Sequence, residues 1–574
     1  MKILIKFCIV TLIFINTISL GYAINQSTDK NTIISVTNPN AKLFRWISEE
    51  SIQITAKYNN KIDIILNDKL FARFLNFGYE YEIISTPESR LRNIEGYRDY
   101  QTLVAELEQI AVDFPEIVEL TSLGNSTCFN YFLEGKTAYE DFQHEIWCIK
   151  LSDNVHIEED EPNIYYAGAI HAREPISVEV TMNLLNYLVS NYGEEDSVTN
   201  WVNNTQIWFV PLINPDGHKL VIDGTHTMHR KNMRDNNNNN IPDFNTTDGV
   251  DLNRNFGYVW GSNGTSNSYW SNIYHGEYAW SEPEVRYLRD LLQSHKFYAG
   301  ITYHSYGEYV LYPLGHIPNC CSYDHEIMGE LSDSMANLIT RQNGTGHYTS
   351  KQAVDFGYTC QGTMGDWGYS EERIFSFTIE LANSFIPPAS SIQQICNENL
   401  DASLVMLDRI NHSVVTGNVT NDEGAAISAD VIVHEIDFAS NMSSVEFTKS
   451  DSLFGRYYRM LLPGNYTFTF QKDGYFSQTI ENVSVLENEP TELNIVLSNS
   501  EYLDADMIDI SIENGILFLE WEYDPRSTYY VYSSENPQGV FLEDSSGNFV
   551  SESIWSAPID SNKKFFKIRK IIAQ

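Results

Sequence analysis

Ile164-Tyr165-Tyr166-Ala167-Gly168-Ala169-Ile170 is a short apolar run that ends on His171. Three more runs share its form: Ile207 to Ile213 before Asn214, Tyr298 to Tyr303 before His304, and Ile374 to Ile379 before Glu380. Apolar runs of this length, separated by helical patterns, are the mark of a mostly parallel sheet flanked by helices. Such sheets bind their ligands beyond the carboxyl ends of the strands, where these four polar residues are expected. The fold class read from the sequence is therefore α/β, with a mixed, mostly parallel sheet between about residues 96 and 410, followed by all-β units.

His171 and Glu174 lie three residues apart in the turn after the first run, and Pro175 suits the start of a helix through Val178, Met182, Leu185 and Leu188. With His304 they supply the three nitrogen or oxygen ligands that a catalytic zinc takes while keeping one position for water. A His-x-x-Glu alone is weak, since a solvated helix start explains the glutamate equally well.

Outward from this core the pattern changes twice. A boundary is expected near Arg90 to Tyr97, separating residues 24–95, with their β-like alternation, from a helix through Leu103 and Leu107. After Leu407, short alternating runs with turns such as Asp422-Glu423-Gly424 and Pro463-Gly464-Asn465 mark 413–498 as an antiparallel β-sandwich. The tail, 502–574, is again β-like, and Ile516 to Trp521 is its clearest strand. The N-terminus has a basic start, an apolar run from Ile3 to Leu20, and Gly21-Tyr22-Ala23. This reads as a signal peptide, 1–23, and predicts a secreted chain with no membrane span.

The 574 residues carry 77 acids and 37 bases, a formal charge of −40, which disfavours nucleic acid and anionic membranes as partners. Six cysteines follow the leader, Cys128, Cys148, Cys320, Cys321, Cys360 and Cys396; one to three disulfides are expected, with pairing open.

The middle segment resembles the metallocarboxypeptidases of the pancreatic carboxypeptidase A type over roughly 300 residues. The resemblance is carried by His171-Ala172-Arg173-Glu174, by Ile301-Thr302-Tyr303-His304-Ser305-Tyr306, by Gly249-Val250-Asp251-Leu252-Asn253-Arg254-Asn255-Phe256 and by Phe377-Thr378-Ile379-Glu380-Leu381. It implies Zn²⁺ on His171, Glu174 and His304, Glu380 as general base, and Arg230 beside the metal to stabilise developing negative charge. It further implies Asn253, Arg254 and Tyr358 as the grip on a peptide or protein C-terminus, and Asp251 behind His171. Residues 24–95 sit where the family carries an inhibitory propeptide, and 413–498 is similar to a transthyretin-like companion domain. The expected activity is hydrolysis of the C-terminal peptide bond. Gly315 and Gly365 stand where relatives selecting Lys or Arg place an acid, so neutral, apolar or aromatic end residues are expected. The alternatives are a same-fold amidohydrolase or peptidase acting on cell-wall peptides, and a secreted binding protein with a vestigial catalytic unit.

Some features are read as structure. Ser281-Glu282-Pro283-Glu284 resembles a helix capping box. His275, His316 and His347 read as surface or packing histidines, and His229 has no assigned role. Asp235 to Asp243 resembles half of a calcium loop but lacks the usual glycine and terminal glutamate; it is read as a solvated loop, with Ca²⁺ as the lesser alternative. An insertion up to Glu145 follows Leu123-Gly124-Asn125-Ser126.

Overall fold

The computed structural model describes residues 31–572, except 51, 58–59, 244–246, 317–322, 357–358, 439–445, 499–501, 505–507, 526, 535–541 and 559–564. Tyr358, Cys320, Cys321 and the leader 1–23 lie outside the described residues.

The first unit comprises β1 (Asn31–Thr37), α1 (Ala41–Glu49), β2 (Ile54–Lys57), β3 (Lys61–Asn67), α2 (Asp68–Phe74), β4 (Tyr81–Ser85) and α3 (Pro87–Asn93). Its antiparallel sheet, in the order β2-β3-β1-β4, is buried on both faces. Ile34, Val36, Ile62 and Ile64 pack under Trp46, Ile47 and Phe74 of its own helices. On the other face Ile33 stands beside Ile65 and Ser35 beside Asp63, and Ile33 joins the core of the next unit. A sheet that buries both faces cannot be solvated on one side, so the unit lies flat against its neighbour.

That neighbour follows as α4 (Tyr100–Asp113), β5 (Val118–Asn125), α5 (Thr127–Leu133), β6 (Glu145–Leu151), β7 (Asn163–Ala167), α6 (Ile176–Asn191), α7 (Asp196–Val202), β8 (Gln206–Val210) and α8 (Pro215–Ile222). It continues through α9 (Pro283–Ser294), β9 (Phe297–Ser305), β10 (Tyr309–Tyr312), α10 (His325–Leu338), β11 (Thr349–Gln352), α11 (Met364–Ser370), β12 (Phe375–Leu381) and α12 (Ile392–His412). The eight-stranded sheet has the order β11-β10-β12-β9-β7-β8-β6-β5, and its four central strands, β12, β9, β7 and β8, are parallel. Alternate side chains feed two cores. Tyr166 and Ile301 face Leu185, Leu331 and Leu407 of α6, α10 and α12, while Tyr165 and Trp208 face Leu288, Leu292 and Trp367 of α9 and α11. Both faces are covered, which is why the central strands read as continuous apolar runs.

The expected strand ends shift in all four runs, and β8 stops at Val210 rather than Ile213. β7 stops at Ala167, four residues short of His171, because Gly168 leaves the ladder: a Cβ there would sit 2.8 Å from Pro211 O and 2.9 Å from Ser177 O. β9 and β12, in contrast, run on through His304 and Glu380, which face each other across the parallel pair. The expected capping box is also corrected. Glu282 is the N-cap of α9 but makes no side-chain capping bond. Its carboxylate turns inward to Ser281 and Asn232, and that of Glu284 accepts from Thr127 N, Thr127 Oγ1 and Asn232 Nδ2.

Burial, with the charges of Glu282 and Asp216, pushes the Glu284 carboxyl from its ordinary 4.5 up to about 7. An acid whose folded pKa is raised stabilises the fold fully below about pH 4.5 and loses that contribution as pH rises through about 7. At about 1.4 kcal/mol per tenfold in proton concentration, this amounts to roughly 3 kcal/mol. Denaturant unfolding of the wild type and Glu284→Gln at pH 4.5 and 8.5 should therefore find the stability difference moving by about that much in favour of glutamine. An unchanged difference would mean that Glu284 stays ionised when folded.

Strands β13 (Val414–Asn421), β14 (Asp430–Val433), β15 (Thr448–Lys449), β16 (Arg456–Met460), β17 (Gly464–Gln471), β18 (Gln478–Val485), β19 (Thr491–Glu492) and β20 (Ile495–Leu497) form two sheets around Val431, Tyr457, Phe468 and Phe470. This sandwich is joined to the central unit by Arg456, whose guanidinium holds Asp160 at 2.6–2.8 Å, and by a buried group of four charges around Asp324. The tail forms two further four-stranded sheets around Leu519, Trp521 and Trp555. Cys128, Cys148, Cys360 and Cys396 are unpaired, so the expected disulfides do not form among the described residues.

Candidate active site

His171 and Glu174 come from the turn between β7 and α6. That turn is tied on three sides: Ser177 Oγ accepts from Ala169 N and donates to Glu174 O, and Ala172 N donates to Arg230 O. Asn214, in the turn between β8 and α8, is part of the same scaffold. Its amide donates to Lys231 O at 3.0 Å and its Oδ1 caps α8.

His304 reaches the same point from β9. Its Nδ1 lies 3.1 Å from His171 Nδ1 and 3.1 Å from Glu174 Oε2, and His171 Nδ1 lies 3.0 Å from Glu174 Oε1. All three side chains are buried. Asp251 Oδ1 stands 3.3 Å from His171 Nε2, which keeps the ring proton on that side and turns the Nδ1 lone pair inward. Two imidazole nitrogens and a carboxylate aimed at one point are satisfied together by a cation, and two histidines with one glutamate are a donor set suited to zinc. Although burial opposes it, the two histidines hold the Glu174 carboxyl far below the usual carboxylate range. The ligand side chain is thus already in the form that a cation requires.

Arg230 is aimed at this point by Asp251, whose Oδ2 takes its Nε at 3.0 Å and Nη2 at 2.9 Å. The remaining Nη1 lies 3.3 Å from His171 Nδ1 and 3.8 Å from Glu174 Oε1. Glu380 completes the group from β12, opposite His304 in the ladder. Burial first, then the Glu174 charge, raises its carboxyl to about 7, against the pull of His304, Arg230 and Arg173.

The cleft extends from these residues to Asn253 and Arg254. Arg254 is buried, its guanidinium donating to Gly264 O and Asn253 O, with Nη2 3.5 Å from Cys360 Sγ. Asn253 Oδ1 accepts from Met364 N at 2.9 Å, which ties the arginine to the start of α11.

A sequence model described as zinc carboxypeptidase matches residues 103–402, the part of the chain that builds this cleft. The chain belongs to the zinc carboxypeptidase family. It is 30% identical to carboxypeptidase B of Helicoverpa zea over 324 residues, which is 54% of this chain and 70% of that protein. It is 29% identical to a zinc carboxypeptidase of Saccharothrix mutabilis subsp. capreolus over 298 residues, half of this chain and 62% of that protein. Among solved structures, carboxypeptidase A from Helicoverpa armigera superposes with a TM-score of 0.54 at 21% identity, covering 66% of this chain and 96% of that one. Thrombin activatable fibrinolysis inhibitor superposes with a TM-score of 0.56 at 22% identity, covering 66% and 98%. These two share the fold. Membership makes this chain a zinc-dependent peptide hydrolase.

In this zinc carboxypeptidase, every candidate site residue read from the sequence and described by the structure lies in or directly behind the one cleft. Arg173 carried no role in the sequence reading, yet it is buried, stacked 4.2 Å from the Phe385 ring, and its Nε and Nη1 have no partner. The signal was its place between His171 and Glu174. His316, read as a surface or packing residue, is buried with Nδ1 2.8 Å from Asp366 Oδ2. That carboxylate also accepts from Gly315 N at 2.8 and 3.1 Å, so an acid does stand at the pocket wall, with its oxygens already engaged. His275 packs through Asn267 and Gly276.

In the Asp235 loop, Asp235 accepts from Asn239 N and Asn240 N, and Asp248 from Asn236 N and Asp243 N. The loop closes on its own hydrogen bonds and carries no calcium assignment.

Proposed function

We propose that this zinc carboxypeptidase is an exported exopeptidase that removes neutral, apolar or aromatic residues one at a time from peptide C-termini. The observation that carries the reading is that Arg254 and Asn253 line the same cleft as His171, Glu174 and His304. A guanidinium can take a terminal carboxylate through two parallel bonds, and it makes an end of chain the only peptide that seats fully.

His171, Glu174 and His304 would hold zinc, which would polarise the scissile carbonyl and acidify a water at neutral pH. Glu380 then takes that water's proton on its carboxylate and passes it to the leaving amine, a role that suits a carboxyl raised toward neutrality. Arg230, fixed by Asp251, supplies a cation to the oxygen on which charge develops. Arg173, with unpartnered guanidinium nitrogens, faces the carbonyls of the preceding residues. Tyr358 is assigned by resemblance alone.

The end residue enters between Gly315, Thr363, Met364, Gly365 and Thr378. Neither glycine offers a charge, and Asp366 is committed to Gly315 N and His316. Burying a lysine ammonium there costs several kcal/mol, against about 0.8 kcal/mol recovered per methylene. A panel of matched peptides ending in Phe, Leu, Lys and Glu, each free and amidated, followed by mass spectrometry, tests the reading. Stepwise loss from free ends only, with kcat/KM for Phe or Leu at least about tenfold above Lys, is expected. Equal cleavage of amidated ends would favour an amidohydrolase or endopeptidase; no cleavage at all would favour a vestigial site.

The N-terminal unit is read as an inhibitory propeptide. Gln53, Ile54 and Thr55 line the cleft, Thr55 Oγ1 lies 2.8 Å from Tyr306 Oη, and Tyr306 donates to Asp63 Oδ2. Asn272 donates to Gln53 Oε1 from the opposite rim. Arg90 of α3 is buried against Thr227, whereas Arg92 is exposed, so a trypsin-like nick is expected after Arg92. Peptidase activity should rise at least about tenfold on nicking and loss of the N-terminal fragment. Unchanged activity would remove the inhibitory role. Export rests on the N-terminal signal pattern; among the described residues no helix is long and apolar enough to cross a membrane. The sandwich 413–498 is read as transthyretin-like, and no role is assigned to 502–574.

A further inference from the structure

Four charged residues meet where the sandwich touches the central unit. Asp324, at the N-terminal end of α10, and Arg373, in the turn between α11 and β12, belong to the central unit; Asp437 and Arg459 belong to the sandwich. All four are at most 5% exposed. Arg373 Nη2 lies 2.8 Å from Asp324 Oδ2 and 3.2 Å from Asp437 Oδ1, and Arg459 Nη1 lies 2.9 Å from Asp437 Oδ2. Arg459 Nη2 reaches back to Asp324 Oδ1 at 3.4 Å. Two cations and two anions cancel, and neither unit supplies a closed set alone, because each arginine contacts both aspartates. Without the sandwich, Arg373 and Asp324 would lose half their partners in a buried site, where an incompletely paired charge is strongly disfavoured.

The group is linked to the pocket wall through Tyr369. Tyr369 Oη donates to Asp324 Oδ2 at 2.9 Å and accepts from Arg373 Nη1 and Asp324 N, each at 3.1 Å. Tyr369 stands on α11, one turn beyond Asp366, and the first turn of that helix carries Met364, Gly365 and Asp366 of the pocket wall. Arg373 itself has φ +59, a left-handed conformation that a non-glycine residue keeps only when its surroundings hold it. From that turn β12 leaves with Ser376 and Thr378, which line the same pocket.

We infer that the sandwich is part of the specificity pocket's support: Asp437 and Arg459 are positioning residues that fix α11 and the start of β12 through Arg373, Asp324 and Tyr369. This rests on the reading of the Gly315–Gly365 pocket as the seat of the released residue. The test uses the full chain, activated and zinc-loaded, as wild type, Tyr369→Phe, Asp437→Asn and the double variant, assayed on a peptide ending in Phe. Tyr369→Phe leaves the four charges paired with one another and removes the hydroxyl that links Asp324 and Arg373 to α11. Expected are a KM raised at least fivefold in each single variant, kcat within twofold of wild type, unchanged zinc content, and a double variant no worse than the poorer single. A wild-type KM in a folded Tyr369→Phe variant would overturn the inference. So would a parallel loss of kcat and zinc, multiplying effects in the double variant, or failure of both single variants to fold, since the cluster would then be general core. A wild-type enzyme that leaves free C-termini intact would instead overturn the exopeptidase reading.

Discussion

Glu380→Gln is expected to bind zinc as the wild type does and to lose roughly 10² to 10⁴ in kcat, the range a positioned general base contributes. Glutamine keeps the shape and one acceptor oxygen but cannot carry the water's proton. Because Glu380 is not among the three residues that converge on the metal point, zinc content should not fall with activity. KM for a free C-terminus should also hold, since Arg254 and Asn253 lie elsewhere in the cleft. The measurement is kcat and KM on one peptide together with metal analysis of the same preparation. Turnover within tenfold of wild type would remove the base assignment.

His304→Ala should behave in the opposite way, losing zinc and turnover together. It removes one of three donors that lie within 3.1 Å of one another and leaves Glu174 Oε2 with Ser305 N and His171. The lost charge stabilisation is several kcal/mol, a fall on the order of 10³-fold or more in kcat/KM at limiting zinc. Excess zinc should restore part of it, whereas no amount of metal restores Glu380→Gln. Full activity in zinc-depleted His304→Ala would show that the metal is held by other residues.

The sequence made the centre of the fold legible because the four parallel strands are buried on both faces and so are mostly apolar, with charged or metal-binding side chains only at or beyond their carboxyl ends. His171, His304 and Glu380 stand out for that reason alone. Strand limits were less legible: whether His304 is past a strand or still within it depends on which neighbour it pairs with, and that partner, Glu380, is 76 residues away. The four residues Ser281 to Glu284 fit a capping pattern equally well whether their carboxylates face solvent or Thr127, which lies on a different helix. Arg173 was visible as a letter, but its burial against Phe385 was not. Nor could alternation in Ile33 to Val36 say that the far face of that sheet lies over the cleft, since Ser35 reads as a solvent-facing residue and only packing shows it buried. Asp366 and His316 meet across 50 residues, and a lone histidine gives no sign of its partner.

One rung of the sheet holds the proposed third metal donor, His304, and the proposed base, Glu380, together. Glu380 and His304 are register partners on adjacent parallel strands, so the distance between them is set by the main-chain ladder rather than by side-chain rotamers or loop length. Selection and engineering can therefore rebuild the rims of this cleft and retune its pocket while the chemical spacing stays fixed. The reverse holds for β9 and β12: inserting or deleting a single residue in either strand turns one of the two side chains to the opposite face, so this pair is inherited whole or lost whole.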